Sequence, residues 1–158
     1  MGRKILFATL TGGLLALGGG TALAAIVEGT SGADDLAGGN APGTLLGGPG
    51  KDSLEGRGGD DLLRGEERDD TFGGNSGDDE LFGGSGNDVL PDGAGVDEFS
   101  GGAGDDVIAV PGFGPGPPGL PFESDTISCG TGNDRVIAHK LDRVAGDCEE
   151  VDRLEDRS

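Results

Sequence analysis

From residue 29 onward a large apolar residue recurs at a fixed interval of nine. Repeats that begin at Gly29, Gly38, Gly47, Gly56, Gly65, Gly74, Gly83, Asp92 and Gly101 follow one another without an insertion. A break rich in Pro and Gly, Val110 to Gly119, precedes two more, Leu120 to Ser128 and Cys129 to Ile137. The eighth position is apolar in every repeat: Leu36, Leu45, Leu54, Leu63, Phe72, Leu81, Leu90, Phe99, Ile108, Ile127 and Val136. Neighbouring side chains of a strand point to opposite faces. The pattern therefore predicts that the last three residues of each repeat run extended, with the eighth inward and the seventh and ninth facing solvent. One inward residue per nine buries too little to stand alone, so the repeats must stack on one another.

The polar positions are as regular as the apolar ones. The sixth position is Asp34, Gly43, Asp52, Asp61, Asp70, Asp79, Asp88, Asp97, Asp106, Asp125 and Asp134, with Gly43 the one break in the column. The first and fourth positions are mostly Gly. Glycine lets the backbone take positive φ and turn sharply. A loop turned in this way can aim several carbonyl oxygens at one point, and the Asp at its end adds negative charge. Carbonyl and carboxylate oxygens together suit a hard cation such as Ca2+, which takes six to eight of them.

The clearest copy is Gly83-Gly84-Ser85-Gly86-Asn87-Asp88-Val89-Leu90-Pro91, and Gly101 to Ala109 matches it closely. This is the pattern GGxGxDxUx, with U a large apolar residue, and from Gly29 to Ile137 the chain resembles the RTX, or haemolysin-type calcium-binding, repeat family. The resemblance implies an all-β fold, a right-handed parallel β-roll with two nonapeptides per coil, so that each turn lies over the turn 18 residues earlier. It implies calcium between stacked turns, held by Asp side chains and loop carbonyls. Carried onto this chain, one side stacks Asp34, Asp52, Asp70, Asp88 and Asp106, and the other stacks Gly43, Asp61, Asp79 and Asp97, with Asp134 in the last repeat. The loop ligands implied are at Gly48, Gly50, Gly84, Gly86, Gly102 and Gly104. One ion per gap between oxygen-bearing turns gives about four to six Ca2+. Two defects are expected. Gly43 brings no carboxylate, and Arg68, in place of the fourth-position Gly, sets a positive charge beside the sites around Asp70.

Composition changes this picture in one respect. The chain carries a formal charge of −19, with 36 Gly and neither Trp nor Tyr. A chain so acidic and so poor in aromatics cannot collapse around a large core unaided. The field also repels nucleic acid and acidic membranes, and cations are its natural counterpart. Folding is thus expected to be coupled to calcium.

The ends follow a separate logic. Residues 1–24 read as a cleaved secretory signal. Arg3 and Lys4 are followed by a short apolar run, Ile5 to Leu17, and Ala22-Leu23-Ala24 then places the cut before Ala25. That run is too short to span a bilayer, and no other segment is a membrane span. This predicts a secreted, extracellular protein. In an exported chain the two cysteines, Cys129 and Cys148, read as a disulfide. Residues 25–137 form the repeat domain, with 110–119 a loop ejected from it, and 138–158 form a C-terminal cap with a polar outer face. Acidic fifth-position residues, Asp60, Asp69, Asp78 and Asp105, are the exceptions to a merely solvated acidic surface. The single histidine, His139, is read as cap surface with no catalytic constellation around it.

Three function classes fit. The first is a calcium-binding extracellular module, monomeric, with no catalytic residues and no cofactor besides Ca2+. The second is an extracellular structural or adhesive scaffold. The third is a detached repeat module of a secreted enzyme or toxin, although no room is left for a catalytic domain. The seventh-position residues form no threonine ladder, which disfavours ice binding.

Overall fold

The structure is a computed structural model and describes residues 4–7, 25–91, 93–109 and 124–154. Among these every regular element is a strand. One sheet contains β1 (Lys4–Phe7), β3 (Asp34–Ala37), β5 (Ser53–Gly58), β7 (Thr71–Ser76), β9 (Val89–Pro91), β11 (Val107–Ala109), β13 (Arg135–His139) and β15 (Glu150–Leu154), in that order. The other contains β2 (Ala25–Glu28), β4 (Gly43–Pro49), β6 (Leu62–Glu67), β8 (Glu80–Ser85), β10 (Glu98–Ala103), β12 (Thr126–Thr131) and β14 (Arg143–Val144). All pairings are parallel, and successive strands alternate between the sheets. The chain therefore winds as a β-solenoid of about six turns.

The register is the period made visible. Leu54 pairs with Phe72, and Leu63 with Leu81, each 18 residues on. After β10 and β11 the offset becomes 28, as Phe99 pairs with Ile127 and Ile108 with Val136. The break thus adds ten residues and leaves the stacking intact. The segment 110–119 itself lies outside the described residues, as does the expected signal cleavage motif at 22–24. Lys4–Phe7, within the segment read as a signal, is the outermost strand beside β3.

Every eighth-position residue is buried, and together with Val27, Cys129 and Ala138 they make one hydrophobic cluster that draws on both sheets. The inward side chains stack in two files, one on each sheet, and each coil contributes one residue to each. Apart from β9 and β11, the repeat strands are longer than the three residues the alternation predicts. β5, for example, runs from the seventh position of one repeat to the third of the next, with Leu54 and Gly56 both inward. The first-position glycine is thus part of the inward face.

The cap is not a separate element type. After His139 the winding continues through β14 and β15, with Ile127 opposite Val144 and Val136 opposite Val151. The last strand, β15, is exposed along its whole length, Val151 and Leu154 included.

Candidate calcium sites

The sixth-position Asp side chains are buried although they are charged. Asp34, Asp52, Asp61, Asp70, Asp79, Asp88, Asp97, Asp106, Asp125 and Asp134 are each at most 5% exposed. They stack because, from Asp52 on one side and Asp61 on the other, each Oδ1 accepts the backbone N–H of the sixth residue one coil earlier. On one side the N–H of Asp34 donates to Asp52 (2.8 Å), that of Asp52 to Asp70 (2.7 Å), and that of Asp70 to Asp88 (2.8 Å). The N–H of Asp88 then donates to Asp106 and that of Asp106 to Asp134, both at 2.9 Å. On the other side Gly43 donates to Asp61, Asp61 to Asp79, Asp79 to Asp97 and Asp97 to Asp125. Gly43 therefore breaks the column only as an acceptor, and its own N–H is satisfied.

The second carboxylate oxygen decides the chemistry. The Oδ2 atoms of Asp61, Asp70, Asp79, Asp88, Asp106 and Asp134 are buried and accept no hydrogen bond. An anionic oxygen taken from water without a donor costs several kcal/mol. Burial accordingly raises the pKa of each of these groups, to about 7 for Asp70 and Asp79 and about 6 for Asp106. The ladder hydrogen bonds oppose this rise, and neighbouring carboxylates in the stack add to it. Such oxygens are matched by a cation or a proton. Asp34 is the contrast: its Oδ2 accepts the N–H and the hydroxyl of Thr30, at 2.5 and 2.8 Å.

The space beside Oδ2 is set by the first-position glycine. A Cβ on Gly56 would lie 2.6 Å from Asp61 Oδ2 and 3.0 Å from the carbonyl oxygen of Gly74 in the next coil. Gly65, Gly83 and Gly101 are enclosed in the same way by Asp70, Asp88 and Asp106 and the next coil's carbonyl. Oxygen atoms from two coils thus surround a place that no side chain can enter. Positive φ lies elsewhere, at the second and fourth positions: Gly48, Gly84, Gly86, Gly102 and Gly104 all adopt it, but Gly50 does not. Gly50 is instead packed against the Asp52 carboxylate and the Gly32 carbonyl. The carbonyl oxygens of Gly84 and Gly86 approach the glycines of the following coil, Gly102 and Gly104, and so run along the same stack.

The Arg68 turn keeps this backbone. Arg68 itself takes φ +77°, its side chain is exposed, and the ladder runs through Asp70 without interruption. Glu66, Arg57 and Asn75 hold the same conformation at second positions.

Sequence reasoning missed two features. The fifth-position residues form an exposed ladder that runs the opposite way. Asp60 accepts from Asp78, Asp69 from Asn87, Asn87 from Asp105, and Asp105 from Asn133. The cap also extends the buried ladder: Asp142 accepts the N–H of Asp125 at 3.3 Å, and Glu149 accepts that of Asp134 at 3.0 Å. The spacings are 17 and 15 residues, so the nine-residue period gives no sign of them. His139 is buried at the end of β13, against the expectation of a surface residue. Asp142 accepts its N–H, and Arg153 of β15 donates to its carbonyl, so the cap strands cover it.

The donor set fits Ca2+. Among the described residues no three His, Cys, Asp or Glu side chains converge as a transition-metal site would require. Both cysteines are joined in the Cys129–Cys148 disulfide. What remains is a charged carboxylate oxygen per turn amid backbone carbonyls, which are ligands for a hard cation.

These features define a parallel β-roll of the calcium-binding type. A family model, the RTX calcium-binding nonapeptide repeat, matches four overlapping copies at residues 28–63, 38–72, 55–90 and 73–108, and the chain belongs to that family. No curated protein and no solved structure matches the chain significantly.

Proposed function

We propose that the chain is an exported, non-catalytic calcium-binding module that takes up about four to six Ca2+ and needs them to complete its fold. The observation that carries this reading is the set of buried Oδ2 atoms without a donor at Asp61, Asp70, Asp79, Asp88, Asp106 and Asp134. Each would supply one anionic ligand, and the carbonyls of the glycine turns, including those of Gly84, Gly86, Gly102 and Gly104, would supply the neutral ones. Asp52 and Asp97 hold equivalent rungs and belong to the same set, with Gly48 and Gly50 beside Asp52. Asp34, engaged by Thr30, is its weakest member. Calcium supplies the positive charge that lets these carboxylates stack ionised.

Export rests on the basic and then apolar start of residues 1–24. Among the described residues no helix is long and apolar enough to cross a membrane. Far-ultraviolet circular dichroism of the oxidised chain, in calcium and in excess chelator, tests the coupling. The β signal should be lost in chelator and return with calcium. A signal unchanged in chelator contradicts it.

A further inference from the structure

The last turn on the side of β13 and β15 departs from every other. It begins with Cys129 where the other described turns of that side, those starting at Gly29, Gly47, Gly65, Gly83 and Gly101, have glycine. It ends at Asp134, which is 1% exposed and whose Oδ2 has no hydrogen-bond partner. No further nonapeptide follows to cover it. Its cover is the cap segment Asp147-Cys148-Glu149. Cys148 is bonded to Cys129, with Cα atoms 5.1 Å apart. Asp147 accepts hydrogen bonds from the Ser128 hydroxyl and from the Gly130 N–H, at 3.0 and 3.1 Å. Glu149 then places Oε2 where the repeat would have put an aspartate Oδ1, on the N–H of Asp134 at 3.0 Å. The carboxylate of Glu149 is thereby held beside the buried carboxylate of Asp134. Two carboxylates that face each other in this way repel unless a proton or a cation lies between them.

We propose that Cys129–Asp134 and Glu149 form a terminal Ca2+ site that the nonapeptide pattern does not encode, completed by the disulfide, which holds Glu149 over Asp134. The inference rests on the calcium reading above and adds to it a site with a different ligand. Asp147 locks the turn to the cap through neutral donors, and the covalent bond one residue before Glu149 fixes its reach. Glu149 is exposed, so the site opens to solvent at the end of the roll and can fill without disturbing the coils below it.

Calcium titration calorimetry on the full oxidised chain, the Glu149→Gln variant and the Cys129→Ser/Cys148→Ser double variant tests this. The amide keeps an acceptor for the Asp134 N–H and removes the charge. Glu149→Gln should bind one ion fewer than the unaltered chain, or bind one ion about tenfold more weakly, with the remaining sites unchanged. The double variant should show the same single loss. Glu150→Gln, a neighbouring charge removed from the cap, should bind like the unaltered chain. By reciprocity, calcium must also protect the Cys129–Cys148 bond from dithiothreitol, and this protection should shrink about tenfold in Glu149→Gln. Full stoichiometry with unchanged affinities in Glu149→Gln, or equal protection of the disulfide, overturns the inference and leaves the calcium reading standing. An unaltered chain that binds no calcium overturns both.

Discussion

At the scale of single residues, each position of the repeat answers a different steric question. First-position glycine is demanded by the close approach of Asp Oδ2 and of the next coil, whereas second- and fourth-position glycines are demanded by positive φ. The two can be separated. Gly56→Ala drives a Cβ into the Asp61 carboxylate and the Gly74 carbonyl, and should destabilise the calcium-bound roll by at least about 2 kcal/mol in urea unfolding. Arg68 already sits at positive φ, a conformation that costs a side-chain-bearing residue about 1 kcal/mol. Arg68→Gly should therefore raise stability by roughly that amount in the same measurement. The acidic column allows a test with opposite signs. Asp88→Asn keeps an oxygen for the Asp70 N–H and removes a buried charge. It should raise the residual β signal in chelator and weaken calcium binding, read by circular dichroism and by calcium titration. The glycine columns show the limit of the sequence here. Their regularity was legible, but the letter G does not say whether φ or a close contact requires it.

At the scale of the element, two Asx ladders of opposite direction staple coil to coil, one buried at the sixth position and one exposed at the fifth from Asp60 onward. The buried ladder fixes the pH response. The pKa values of Asp70 and Asp79 are raised to about 7, and that of Asp106 to about 6, chiefly by burial. In the unfolded chain an aspartate titrates near 4. Between roughly pH 4 and 7 the calcium-free fold therefore holds protons that the unfolded chain releases, and its stability falls as pH rises through that window. Calcium must displace those protons, so its affinity moves the other way and weakens as pH falls below 7. Far-ultraviolet circular dichroism in calcium-stripped buffer should show more β structure at pH 5 than at pH 8, and in excess calcium the urea midpoint should be higher at pH 8 than at pH 5. A calcium-free β signal that does not fall from pH 5 to pH 8 would contradict the buried charges. The ladder was legible from Asp34 to Asp134 because every rung repeats one local solution. Its last rungs, Asp142 and Glu149, were not, because the cap reaches the same register with 17 and 15 residues in an already acidic stretch.

At the scale of the whole molecule, the roll has two facing files of inward apolar residues, one on each sheet, and two stacks of buried acids whose desolvation opposes the gain from the apolar files. The files were fully legible: the eleven eighth-position residues, from Leu36 to Val136, are all buried. So was the tolerance of the break at 110–119, since an insertion between coils leaves the stacking unchanged. The continuation of the winding into β14 and β15 was not, because Val144 and Val151 follow no period that the repeats establish. Coils that contact only their neighbours transmit damage locally. Leu81→Ala, in the middle of its file, should cost about 2–5 kcal/mol in the calcium-bound state by urea unfolding. The central claim is that buried carboxylate oxygens wait for calcium, and calorimetric titration of the calcium-stripped chain at neutral pH tests it most directly. The account predicts about four to six ions, with proton release and a gain of β structure on binding. A chain that takes up no calcium, or takes it up without releasing protons, would contradict it.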